Sequence, residues 1–186
     1  GQGVIGLLTT RLAQLSGAEV VAVDTLDNRL ATARHHGAAH TLNPRTDAVA
    51  ERVRDLTEGR GADVAVEISG AYQALHEAVR SVAVGGRVVA AGFYQGDGVG
   101  LRLGDEFHHN RVQLHCSQIG GVPPQLAGRW SVERLQRTFL HLVAEGRVDV
   151  GSLVTHVIPA ADAAEADALL DERPEEALQV VLAFDP

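Results

Sequence analysis

Lysine is absent from the sequence, because all 16 basic residues are arginine. A mechanism that needs a lysine amine, as a Schiff base or a general base, is therefore excluded within these residues. Cysteine occurs once, as Cys116, so an intramolecular disulfide is impossible, and we expect Cys116 to be a small core residue of a strand. No apolar run approaches the roughly 18 residues of a membrane helix. With no apolar signal segment either, we expect a cytoplasmic protein without membrane association.

Positive charge is also scarce. The 24 acidic residues outnumber the 16 arginines, giving a formal net charge of −8, and no basic stripe interleaved with aromatics occurs. A nucleic acid or an anionic membrane surface is therefore excluded as a partner class. Hydrophobic residues make up 45% of the chain and charged residues 22%, which is typical of a globular protein. The 186 residues suffice for one domain, or one domain and part of a second.

The chain begins with the glycine pattern G-x-G-x-x-G, formed by Gly1, Gly3 and Gly6. The first glycine allows a tight turn, the second allows close backbone approach to phosphates, and the third allows the following helix to pack closely. The apolar residues after Gly3 recur at helical spacing up to Gly17, which predicts a helix whose N-terminus faces the diphosphate. The same glycines also occur in ordinary turns, so the pattern alone does not decide the function.

An acidic residue follows at the expected distance. Residues 19–23 predict a buried strand, and Asp24 at its end lies 18 residues after Gly6. A carboxylate in this position of a dinucleotide fold accepts hydrogen bonds from the adenosine ribose and repels an added 2′-phosphate, which indicates NAD over NADP. The alternative, in which Asp24 only caps the next turn, stays open.

Helices and apolar strands then alternate with short connections, which predicts an α/β fold with a Rossmann doubly wound parallel sheet. Such a sheet needs a parallel first strand immediately before Gly1, which the sequence does not contain, so we expect the chain to be part of a longer polypeptide. The predicted helices after the first are 27–36, 47–58 with Thr46 as N-cap, one around 75–82, 132–145 and 162–171. The predicted strands after the first are 40–42, 62–68, 87–92, 112–119, 153–158 and 178–184.

Pro123-Pro124 is the one plausible domain boundary. We predict an NAD-binding domain over residues 1–122, and a segment over 123–186 that closes a separate substrate domain. The strands predicted at 153–158 and 178–184 have no evident partners in the first domain, so we expect them to self-associate, aggregate or stay disordered.

Taken together, the chain resembles the medium-chain dehydrogenases, the zinc-type alcohol dehydrogenases in particular. The resemblance rests on Gly1 to Gly6, Asp24, the run G-G-R-V-V at 85–89 and the tail L-V-T-H-V-I-P at 153–159. It implies NAD as cofactor and hydride transfer with an alcohol or polyol. The family's zinc ligands and proton-relay residue lie in a domain before Gly1, and whether the full-length protein carries zinc stays open, because the family includes zinc-free members. No catalytic or metal-binding residue is therefore expected here, and we expect the complete protein to be a homo-oligomer.

The resemblance also implies contacts between the dinucleotide and particular residues. The closing strand departs from the family pattern, because it carries Gln179 where the family often has a basic residue that reaches the diphosphate. The implied contacts are Gly1, Gly3, Val4, Ile5 and Gly6 for the diphosphate turn, Asp24 for the adenosine ribose, Arg29 near the adenine, Ser69 and Gly70 under the cofactor, Gly92 and Phe93 near the nicotinamide, and Ser117, Gln118 and Ile119 near its carboxamide.

Other functions fit less well. A non-catalytic NAD(H)-sensing module would use the same glycines and Asp24, but the apolar strands after Gly121 count against it. A methyltransferase that binds S-adenosylmethionine needs no phosphate site at a helix N-terminus. The resemblance of the tail at 153–159 to the dehydrogenases also counts against this function. His108 and His109 are adjacent, not four residues apart, so they do not predict a metal site.

Overall fold

Short parallel strands alternate with helices in the computed structural model, which describes residues 1–184. This confirms the α/β class and most of the predicted elements. The helices are α1 (Val4–Leu15), α2 (Asp27–His35), α3 (Val49–Leu56), α4 (Tyr72–Ser81), α5 (Val132–Ala144) and α6 (Ala163–Glu172). The strands are β1 (Val21–Val23), β2 (His40–Leu42), β3 (Ala62–Glu67), β4 (Val82–Ala90), β5 (Gln113–Cys116), β6 (Val154–Pro159) and β7 (Gln179–Ala183).

All strand pairs are parallel, and within residues 1–184 they form three separate sheets. β1 pairs with β2, the central sheet has the order β3-β4-β5, and β6 pairs with β7. A doubly wound sheet has a strand between the two that β1 and β3 represent, and no strand among residues 1–184 lies there. The first two sheets are therefore separate at the position where the sequence predicts a further strand.

The buried core consists of small apolar clusters between the helices and these sheets. Leu7 of α1 is fully buried against Ala22 of β1 and Ala33 of α2. Around the central sheet, Val79 of α4 and Val88 of β4 are fully buried in a second cluster. Helices α1 and α4 thus pack apolar side chains on strands, which positions the strand ends and the loops that follow them. Helix α5 differs, because none of its residues is buried in the described part of the chain.

The C-terminal segment corrects one prediction. β6, α6 and β7 form a parallel strand-helix-strand unit, so each tail strand is the partner of the other. Neither strand pairs with β1 to β5, as predicted, but the expectation that they are unpartnered was wrong, because α6 returns the chain in parallel and each strand bonds to the other along one edge. Leu153, just before β6, is 2% exposed and packs in the cluster of Leu7. Self-association through the remaining exposed surface stays a prediction.

The prediction for Cys116 was also wrong, because its side chain is exposed. It is the last residue of β5, which pairs only with β4 and so forms the edge of the central sheet. All four residues of β5 are exposed in the described part of the chain. The residues of a strand are buried only where another element covers them, and nothing among residues 1–184 covers β5.

Stability should fall below neutral pH because of His36. This buried residue follows α2, and burial holds its pKa below the ordinary value, with Asp149 opposing that shift and Arg11 and His35 adding to it. The unfolded chain therefore binds more protons than the folded chain as the pH drops, and stability present above the ordinary histidine pKa is progressively lost. We expect the free energy of unfolding to decrease between about pH 7.5 and 5.5.

Chemical denaturation across that pH range measures the effect. His36→Gln removes the titrating group and should flatten the slope of stability against pH. His35→Gln is the matched control, because His35 is the neighbouring histidine in the sequence and is exposed. Equal slopes in the wild type and His36→Gln would contradict the assignment.

Candidate cofactor-binding site

The N-terminus of α1 is built to receive an anion. The first intrahelical bond runs from the Leu7 N–H to the Gly3 carbonyl at 2.9 Å, which leaves the N–H groups before Leu7 without helical partners. Gly3 is the N-cap and supplies no side-chain cap, and the first turn contains no acidic residue. The positive end of the helix dipole is therefore open on the side of Val4 and Ile5, where a phosphate group would be stabilised.

The three glycines of the turn have different surroundings, as their spacing predicted. A β-carbon built on Gly6 would overlap the Gly1 carbonyl, lying 2.8 Å from its carbon, so the helix could not approach the turn with any larger residue. A β-carbon on Gly1 would lie 3.1 Å from the backbone nitrogen of Ser69. One on Gly3 would meet no protein atom within 4 Å. Gly3 therefore borders open space at the helix end.

Asp24 is 8% exposed and holds the glycine turn in place. Its Oδ2 accepts from the Gln2 N–H at 2.6 Å, and its Oδ1 accepts from the Leu26 N–H at 2.9 Å. The bond from Leu26 is the turn-capping role that the sequence left open. A carboxylate has about four lone-pair sites, so these bonds leave acceptor capacity for ribose hydroxyls. Thr10 supports the same turn by donating to Gln2 Oε1 at 2.9 Å.

Arg29 points toward the C-terminal segment. Its Nη2 donates to the Pro174 carbonyl at 3.0 Å and reaches the Ala177 carbonyl at 3.5 Å. The neighbouring Asn28 donates to the Glu175 carbonyl at 2.5 Å. These bonds link α2, which follows Asp24, to the loop before β7. A contact between Arg29 and an adenine stays a prediction.

The loops after β3 and β4 meet beside the glycine turn. Gly70 has a φ of 76°, and a β-carbon built there would lie 3.0 Å from the Phe93 carbonyl carbon. A β-carbon on Gly92 would lie 2.6 Å from the Gly70 Cα. The two backbones therefore touch, which only glycine permits at both positions. With Gly1 against Ser69, five of the predicted site residues are contiguous, and the ring of one of them, Phe93, is 83% exposed.

Glu67 was missed by the sequence analysis, although it lies at the centre of these two loops. It is 4% exposed, and its carboxylate accepts from the Ser69 hydroxyl, from the Ser69 N–H at 2.7 Å and from the Gly70 N–H at 3.1 Å. It also accepts from the Tyr94 hydroxyl. The available signal was an acidic residue inside the apolar strand A-D-V-A-V-E-I, since a buried carboxylate requires partners.

The residues predicted near the carboxamide are not joined to this cluster by any side-chain bond in the described part of the chain. The Ser117 N–H donates to the Ala90 carbonyl at 2.9 Å and extends the β5 ladder by one residue. Gln118 bonds locally to the Gly120 N–H, and Ile119 is 94% exposed. Their contact with a cofactor stays a prediction.

Gln179, at the position where the sequence resemblance led us to look for a basic residue, donates through Nε2 to the Val180 carbonyl at 2.9 Å. It therefore makes a local contact on β7. Among residues 1–184, no cluster of three or more His, Cys, Asp or Glu side chains could hold a metal ion. No helix in that range is long and apolar enough to cross a membrane.

Comparison with known proteins identifies the family of the chain. The zinc-binding dehydrogenase family matches residues 4–130. D-guloside 3-dehydrogenase of Escherichia coli (strain K12) is 33% identical over 186 residues, which is 99% of this chain and 53% of that protein. Sorbitol dehydrogenase 1 of Saccharomyces cerevisiae is 33% identical over 175 residues, covering 89% of this chain and 45% of that protein.

Among solved structures, alcohol dehydrogenase TADH from Thermus sp. ATN1 superposes with a TM-score of 0.82 and 27% identity, over 100% of this chain and 50% of that one. The fold is thus the Rossmann type of these dehydrogenases. The chain belongs to the zinc-binding dehydrogenase family, as the sequence resemblance indicated. It spans about half the length of the curated relatives that it matches.

Proposed function

We propose that the chain is the cofactor-binding portion of an NAD-dependent oxidoreductase that transfers hydride between an alcohol or polyol and the nicotinamide. The observation that carries this proposal is the open N-terminus of α1 at Gly3, with the buried carboxylate of Asp24 beside it. A helix N-terminus bordered by a glycine favours a diphosphate, and a strand-end acid beside it favours the adjoining ribose. The names of the matched relatives, which include a sorbitol dehydrogenase, support the substrate class.

The chain's own groups bind and orient the cofactor. The diphosphate lies on the backbone N–H groups of Gly3, Val4 and Ile5, and the adenosine ribose hydroxyls donate to Asp24. The nicotinamide half lies toward Gly92 and Phe93, because the diphosphate at α1 separates two halves of the site. The bound NAD supplies the hydride chemistry, while the protein fixes its orientation. Asp24 repels a 2′-phosphate and so favours NAD over NADP.

The complete enzyme extends beyond this chain in the proposal. Residues 1–122 form the NAD-binding domain, and residues 123–186 return to a substrate domain that shapes the alcohol pocket and would hold the zinc if the full-length protein carries it. We expect the complete protein to be a cytoplasmic homo-oligomer. These 186 residues alone are expected to bind NAD weakly and to catalyse no turnover, since they include no zinc ligands or proton-relay residue.

Alcohol-dependent and polyol-dependent NADH formation tests the proposal. The protein with its natural termini should reduce NAD in the presence of members of an alcohol and polyol panel, and the 186-residue chain should not. The alternative, a non-catalytic NAD(H)-sensing module, predicts NADH binding with no turnover by either. Turnover by the shorter chain alone would contradict the expected inactivity, and failure of both proteins to bind NADH would contradict the proposed function.

A further inference from the structure

Two loops at the C-terminal ends of neighbouring strands are tied together by one buried carboxylate. Glu67 ends β3, and Tyr94 follows β4 by four residues, so their hydrogen bond joins groups 27 residues apart in sequence. The other bonds to Glu67 come from Ser69 and Gly70, in the loop that follows β3. The Glu67 carbonyl accepts from the Ala91 and Gly92 N–H groups at 2.8 and 3.1 Å. Side chain and backbone of Glu67 thus both hold the β4 loop.

Tyr94 is suited to donate this bond. Burial first, and then the bond to Glu67, raises the pKa of the Tyr94 hydroxyl well above its usual value, so the hydroxyl keeps its proton. Its ring packs against that of Tyr72 with centroids 5.3 Å apart. The hydroxyl of Tyr72 donates elsewhere, to the Gly96 carbonyl at 2.9 Å. Of these two stacked rings, only Tyr94 bonds to the carboxylate.

The loops that Glu67 ties together lie on one side of the glycine turn. Asp24 holds the turn from β1, whereas Ser69 contacts Gly1 from the direction of β3. A dinucleotide whose adenosine lies at Asp24 and whose diphosphate lies at α1 must extend its other half over Ser69, Gly70 and Gly92. Glu67 therefore acts on the half of the site that Asp24 does not reach.

We propose that Glu67 is a positioning residue for the nicotinamide half of the dinucleotide, acting through its bond to Tyr94 to hold the β3 and β4 loops in contact. The inference rests on the proposed function. With the bond present, the loops are ordered before the cofactor arrives, and binding does not have to supply the cost of ordering them. Without it, the nicotinamide half meets a looser surface, while the adenosine and diphosphate contacts are unchanged.

Comparison of two ligands separates this role from a general loss of structure. NADH contacts both halves of the site, whereas ADP-ribose has the adenosine and diphosphate but no nicotinamide. In the protein with its natural termini, Tyr94→Phe and Glu67→Gln should each weaken NADH binding by about tenfold, because a hydrogen bond to a charged group is lost. ADP-ribose binding should change by less than about twofold. Calorimetric titration measures both dissociation constants.

Tyr72→Phe is the matched control, because it removes a tyrosine hydroxyl from the same stacked pair without touching Glu67. It should leave the ratio of NADH to ADP-ribose affinity unchanged. If Tyr94→Phe, which keeps the ring, weakens both ligands equally, changes neither, or behaves like Tyr72→Phe, the positioning role is overturned. If the wild-type protein binds neither ligand, the proposed function itself fails, which is a different result.

Discussion

Gly3→Ala and Gly6→Ala should both abolish tight NADH binding, but only Gly6→Ala should destabilise the fold. A methyl group on Gly6 overlaps the Gly1 carbonyl, so backbone must move, at a cost of about 3 kcal/mol in the free energy of unfolding. A methyl group on Gly3 meets no protein atom within 4 Å, and its φ of −69° is open to alanine. Its stability should change by less than about 1 kcal/mol.

For Gly3→Ala, the expected loss is in binding, because the methyl group occupies the space that the diphosphate needs. We expect NADH affinity to fall by about 100-fold, as charge-assisted hydrogen bonds from the helix N-terminus are lengthened or lost. Gly128→Ala is the control, since a β-carbon there also meets nothing within 4 Å but lies far along the chain from the turn. Wild-type NADH affinity in Gly3→Ala would show that the space beside Gly3 does not hold the diphosphate.

Asp24→Ala should remove both the preference for NADH and part of the stability. The buried N–H groups of Gln2 and Leu26 lose their acceptors, which costs about 1–3 kcal/mol each when they are left unsatisfied. NADH affinity should fall by about 100-fold, because the contact with the ribose and the ordered turn are both lost. NADPH affinity relative to NADH should rise by about tenfold, because the charge that repels a 2′-phosphate is gone.

Asp47→Ala distinguishes these effects from the loss of any capping carboxylate. Asp47 also accepts from a backbone N–H, that of Asn43 at 2.7 Å, but it follows β2, and this bond does not involve the glycine turn. It should lower stability and leave the ratio of NADPH to NADH affinity unchanged. An unchanged ratio of NADPH to NADH affinity in Asp24→Ala would mean that Asp24 only caps the turn and does not bind the ribose.

The sequence was most informative where the determinants are local. Helix α1 and strand β1 follow from glycine spacing and apolar periodicity within the short segment that ends at Asp24, and the close packing at Gly6 follows from the same motif. Even so, local signals compete. Thr46 was predicted to cap the helix over residues 47–58, but the corresponding helix α3 begins at Val49 with Ala48 as N-cap. The Thr46 and Asp47 N–H groups bond to the Asn43 carbonyl, so a turn occupies the residues assigned to the helix start.

The parts that the sequence did not predict depend on residues far apart. Nothing near Glu67 reveals that Tyr94 will bond to it, and nothing near Arg29 reveals the carbonyl of Pro174, 145 residues away. The pairing of β6 with β7 was missed for a related reason, because the sequence of an apolar strand does not identify the strand with which it pairs. Burial of Cys116 was predicted from the residue type and its place in a strand, whereas burial depends on what covers the edge of the sheet.

The most direct test of the account is calorimetric titration of the protein with its natural termini, first with NADH and then with NADPH. The glycine turn, the open end of α1 and the buried Asp24 together predict saturable binding of NADH and much weaker binding of NADPH. Absence of binding for both, or equal affinity for the two, would contradict the assignment of this surface as an NAD site.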